Sequence, residues 1–159
     1  MSSKYEPTLG RARGIAAVFI ILPVVLWSLG WLRAVRFPEQ AGAFAGVDLT
    51  TATWVGLGIA LPCLVAGLVL GRSAVGLADA AARGADDPVI AYQGRVRLQG
   101  RLVLAWTMFE AASFVSGVLY LYFGRAEFLW GGVAVLATGM LATYPRRRWY
   151  ARLGGVTDG

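Results

Sequence analysis

Few side chains in the apolar part of this chain can do chemistry, and Glu110 leads them. It is the one charge in LVLAWTMFEAASFVSGVLYLYFG, residues 102–124. A carboxylate at membrane depth is costly, which marks such a residue as a functional-site candidate. At helical spacing its own face carries Trp106 and Thr107 before it, and Ser113, Phe114 and Gly117 after it. Leu104, Met108, Ala112, Val115 and Leu119 fall on the opposite face. Small and hydroxyl-bearing residues therefore accompany the carboxyl, which turns it toward a neighbouring helix or a hydrated pocket. The expectation is a Glu110 that is protonated at neutral pH and donates to a backbone carbonyl, to Thr107 or to Ser113. Three roles compete: a structural hydrogen bond, a proton- or cation-binding site made of Glu110, Thr107 and Ser113, or the binding of a lipid or partner.

Other chemistries are thinly supplied. The 159 residues include no histidine and a single cysteine, Cys63. Zinc-finger sites, His-ligated haem and histidine acid–base catalysis are excluded, and so is an intrachain disulfide. Paired carboxylates at metal-ligand spacing are missing from the apolar runs. The chain reads as a non-enzyme with no metal and no cofactor.

The elements that must position Glu110 are long apolar stretches. Apolar residues make up 57% of the chain and charged residues 15%, against about 45–50% and 25% in soluble domains. Four stretches are long enough to span a bilayer as helices: 14–32, 49–71, 102–124 and 128–145. They are continuous rather than alternating, so strands are disfavoured. The fold class is all-α, an integral membrane four-helix bundle in one domain. The first stretch is too long for a signal-peptide core and reads as a retained anchor.

Twelve Lys and Arg residues lie before the first span, between the second and third, and after the fourth; Arg33, Arg36 and Arg125 lie opposite. The positive-inside rule then puts both termini in the cytoplasm. The net charge of +6 is spread between apolar runs, which fits a bilayer as partner and not nucleic acid. Trp27, Trp31, Trp54 and Trp130 read as one interfacial belt, and Tyr144, Trp149 and Tyr150 as the other.

Of the connections, 33–48 reads as a surface turn or half-helix, and 125–127 as a tight turn between antiparallel neighbours. The long cytoplasmic one, 72–101, begins helix-like, breaks at Gly84 and Asp86-Asp87-Pro88, and resumes with Asp86 or Asp87 as a cap. Its Arg83, Arg95, Arg97 and Arg101 are candidates for lipid headgroups or a docking partner. The ends, 1–9 and 153–159, read as loose. In the second span Gly56, Ala60, Cys63, Gly67, Gly71, Ala74 and Ala78 share one narrow face. Such a stripe admits a close helix neighbour, and together with Gly117 it forms the expected packing surface beside Glu110.

The second and third spans resemble the helical hairpin of the rotor-ring c subunit of F- and V-type ATPases. The matching pieces are the striped AGLVLGRSAVGLADAAARG, a loop bearing Arg83 and Pro88, and MFEAASFVSG with its carboxylate. The resemblance implies that Glu110 is the ion-carrying carboxylate, and that Arg83 and Pro88 belong to the stalk-contacting loop. A helix is added on each side of this hairpin. The chain also resembles uncharacterised bacterial four-span membrane proteins, through Trp106-x-x-x-Glu110-Ala111 and Pro145-Arg146. The functional readings left open are a subunit or accessory protein of a membrane complex, a c-like ring former, and a small transporter or channel. The expected setting is a bacterial inner membrane, with a homo-oligomer or membrane-complex subunits as partners.

Overall fold

The computed structural model describes residues 8–37, 46–83 and 86–153, and those residues are almost entirely helical. Four long helices, α1 (Leu9–Arg36), α2 (Leu49–Ala82), α3 (Pro88–Phe123) and α4 (Ala126–Thr143), are followed by a short α5 (Arg147–Ala151). All four long helices are long and apolar enough to cross a membrane.

Each helix starts and stops for a local reason. The Thr8 side chain caps α1 by accepting from Arg11 N at 3.3 Å. Asp48 caps α2, accepting from Thr51 N at 2.9 Å and from the Thr51 hydroxyl at 2.6 Å. Asp87 caps α3 through Val89 N at 2.8 Å, with Pro88 as the first helical residue; proline suits that position because its missing N–H has no helical partner there. α3 ends at Gly124, whose φ of 63° is left-handed and suits a residue without Cβ. Gly124 and Arg125 alone separate α3 from α4, so the two are antiparallel neighbours. Pro145 stops α4 by holding Tyr144 in extended geometry (φ −57°, ψ 132°).

The stretch 72–101 is helical on both sides of a break, the pattern its sequence suggests: α2 continues to Ala82 and α3 begins at Pro88 behind the Asp87 cap. At 1.5 Å per residue each of these helices is about 50 Å long, well beyond a hydrocarbon core of about 30 Å. The break at Gly84 lies outside the described residues, as do 38–45 of the 33–48 connection, residues 1–7 and residues 154–159. Two residues expected to be loose are core instead: Leu9 and Leu153 are buried.

α3 is the hub. The other three long helices pack against it, and α2 does so over the longest stretch. Leu98, Leu102, Ala105, Trp106, Phe109, Ala112 and Ser113 on α3 are fully buried. α1 and α2 turn bulky apolar side chains outward, among them Val18, Ile21, Trp54, Val65 and Val69. α5 folds over one end, where Trp149, Tyr150 and Leu153 join Leu9 and Ala12 in the core. That end gathers the basic side chains: Arg13 lies over the Tyr144 ring, and Arg152 pairs with Asp79 at 2.7 Å.

Candidate functional site

Glycines set how closely the helices approach α3. A Cβ on Gly67 of α2 would lie 2.7 Å from the Phe109 ring, and a Cβ on Gly139 of α4 would strike the same ring from the other side. Phe109 is therefore seated between two glycines on two helices. Gly56 receives Leu119 and Val115 of α3, and Gly71 receives the Thr143 methyl of α4. In the expected stripe Gly56, Gly67, Gly71, Ala74 and Ala78 are buried, while Ala60 and Cys63 are half-buried. Close approach of helices at small residues is the packing mode of membrane interiors. Here the stripe takes the aromatic and aliphatic knobs of α3, not the carboxyl.

Glu110 lies one residue round from Phe109, on the side of α3 that meets α1. One turn before it, Trp106 packs on Phe19 of α1, with ring centroids 6.1 Å apart. Two turns after it, Gly117 receives Leu26 and Trp27 of α1. Glu110 itself is half-buried. Among the described residues its side chain makes no hydrogen bond and no ion pair.

The hydroxyls expected beside it go elsewhere. Ser113, fully buried, donates to the Gly132 carbonyl of α4 at 3.2 Å. Thr107 is exposed and donates to Val103 O of its own helix at 3.0 Å. The expected donation from Glu110 to Thr107 or Ser113 is thus not made. The reason is register: 60° of helix rotation separates Ser113 from Glu110, enough to aim one at α4 and the other past it.

The four arginines of 72–101 also part company. Arg95 is buried, donates to the Leu153 carbonyl and lies 5.9 Å from the Tyr92 ring centroid; it holds the chain after α5 rather than a headgroup. Arg83 is the exposed C-cap of α2. Arg97 and Arg101 are exposed, and Arg101 donates to Ser73 Oγ at 2.7 Å. Both line a groove with Arg11 of α1.

No protein-family model, curated protein or solved structure matches this chain. Its chemistry is therefore read from its own residues.

Several of these residues escaped the sequence reading. Phe109 and Leu136 looked like ordinary apolar positions, and Thr143 like the end of a span. A usable signal was present in α4: Gly132, Leu136, Gly139 and Thr143 recur at spacings of four, three and four, which places all four on one helical face. The aromatic residues near the helix ends divide: Trp31, Trp54 and Trp130 are well exposed. Trp27 packs against Gly117 and Gly132, and Trp149 and Tyr150 are core.

Proposed function

We propose that this chain is a non-enzymatic subunit or accessory protein of a membrane complex, and that Glu110 is the group a partner satisfies. The setting we propose is a bacterial inner membrane with both termini in the cytoplasm. The orientation is supported by twelve basic residues at one end of the bundle against three at the other.

One observation carries the reading. Glu110 stands nine residues beyond Arg101 on α3, about 13 Å along the axis and near the middle of the span. It is half-buried, and no described residue bonds to it. A polar group left unpaired in hydrocarbon costs several kcal/mol, so a neighbouring helix that supplies a donor or acceptor gains affinity there. Phe114, exposed on the same flank, belongs to the surface such a helix would cover.

A second reading, a c-like proton- or cation-binding ring former, draws support from the α2–α3 hairpin and its mid-span carboxyl. The position of Phe109 rather than Glu110 in the glycine stripe weighs against it.

The test is native mass spectrometry of the full chain released from its own membranes in mild detergent. A photo-crosslinking residue replaces Phe114, in otherwise unaltered protein and in Glu110→Gln and Glu110→Leu variants. We expect a complex of defined stoichiometry, a crosslink to one partner helix, and loss of both in Glu110→Leu. A high-order homo-oligomer that binds carbodiimide at Glu110 would favour the ring. A monomer with no crosslink would overturn the subunit reading.

A further inference from the structure

At the basic end of the bundle, residues of α1, α2 and α3 line an open groove of about 840 Å³. Arg11 comes from α1, Leu77 from α2, and Arg97, Gly100, Arg101 and Leu104 from α3. We propose that this groove binds one anionic phospholipid, with its phosphate at the three guanidiniums and an acyl chain along Leu104. The inference rests on the chain being embedded in a bilayer, and not on its role as a subunit.

The lining has the gradient of such a lipid. Along α3 the order is Arg97, Gly100, Arg101, then Leu104, a run of about 10 Å at 1.5 Å per residue. Val103 and Leu104 lie on the mid-span side of Arg97 and Arg101, with Val96 alone on the side of the helix end. Leu104 is half exposed. Arg101 donates to Ser73 Oγ at 2.7 Å, which holds its guanidinium between α2 and α3. Among the described residues no acidic side chain lines the groove. Arginine forks suit phosphate oxygens, and basic pockets between membrane helices recruit acidic headgroups.

Gly100 sharpens the case. A Cβ built there meets nothing within 4 Å, so this glycine is not needed for helix packing. It leaves the floor of the groove open between Arg97 and Arg101. Gly100→Leu therefore fills the groove without disturbing the bundle.

The experiment measures lipid retention by native mass spectrometry, and thermal stabilisation, in detergent supplemented with dioleoyl phosphatidylglycerol or dioleoyl phosphatidylcholine. We expect retention of the anionic lipid and not the zwitterionic one. Arg11→Gln, Arg97→Gln and Arg101→Gln should each weaken it about fivefold. Gly100→Leu should abolish it with the unfolding temperature of the lipid-free protein unchanged or raised, and exposed Arg148→Gln, outside the groove, should leave it intact. Equal retention of both lipids, or full retention by Gly100→Leu, would overturn the proposal. So would displacement by equimolar glycerol phosphate, which would identify the ligand as a free phosphate ester. The Gly100 variant keeps the test decisive even where an arginine variant fails to fold.

Discussion

The indole Nε1 of Trp106 donates to the Thr143 hydroxyl at 2.9 Å, and that hydroxyl donates to the Gly139 carbonyl at 2.7 Å. The Thr143 methyl meanwhile fills the space beside Gly71. One threonine thus joins α2, α3 and α4. Thr143→Val keeps the shape and removes the oxygen, leaving a buried indole N–H unpaired. We expect a loss of about 1–2 kcal/mol, in the range of an orphaned buried donor and of interhelical bonds in membranes. Thr143→Ser keeps the acceptor and should lose less. Equilibrium unfolding in detergent micelles checks both, and a loss in Thr143→Ser with none in Thr143→Val would show that the methyl, not the bond, matters.

The seating of Phe109 yields a packing test. Gly139→Ala and Gly67→Ala each put a methyl into its ring, and overpacking of this kind costs about 1–3 kcal/mol. Gly131→Ala and Gly58→Ala meet nothing within 4 Å and should be neutral or slightly stabilising, since alanine favours helix. Phe109→Leu in the Gly139→Ala background should recover part of the loss. A loss at Gly131 as large as that at Gly139 would mean that contact with the Phe109 ring does not control the effect.

The contrast between Phe109 and Glu110 shows how much was legible in the sequence. The four apolar runs, the Asp87-Pro88 start of α3 and the tight turn before α4 follow from local chemistry, and the structure has them all. The small-residue face of α2 was legible as a packing face because glycine spacing is a one-helix property. Which α3 side chain it receives was not, because that depends on the rotation of α3 between α1, α2 and α4. A rare charge draws attention in a sequence, whereas a phenylalanine among many apolar residues does not. The helix–break–helix pattern of 72–101 was legible from local chemistry as well, since charged turns beyond the hydrocarbon core do not end a helix whereas Asp87-Pro88 starts one.

Asp48 supplies a pH test outside the spans. The Thr51 hydroxyl, then the Thr51 N–H, hold its carboxyl below the ordinary value of 3.8. A carboxyl whose folded value is depressed stabilises the folded cap above the unfolded value, and that contribution is lost as pH falls through the folded one. We therefore expect the first turn of α2 to be protected from amide exchange at neutral pH and down to about pH 4, with protection declining below that. Asp48→Ala should lower protection at every pH and flatten the profile. An unchanged acid profile in Asp48→Ala would assign the effect to another group.

Arg95 offers the sharpest separation of a structural from a surface arginine. Its sequence neighbourhood groups it with Arg97 and Arg101, but it is buried and donates to the Leu153 carbonyl, so it anchors the segment that follows α5. Hydrogen bonds from charged donors contribute about 1.5–3 kcal/mol. Arg95→Met keeps much of the volume, loses the donor and should release residues 149–153 from the bundle end. Faster amide exchange at Trp149, Tyr150 and Leu153 with little change at Phe109 is the expected signature. Arg95→Lys retains the charge but not the fork, and we expect it to restore protection only in part. If Arg95→Met left exchange at Leu153 unchanged, the burial of Trp149 and Tyr150 against Leu9 and Ala12 would be sufficient to hold α5, and the arginine would be a passenger of that packing.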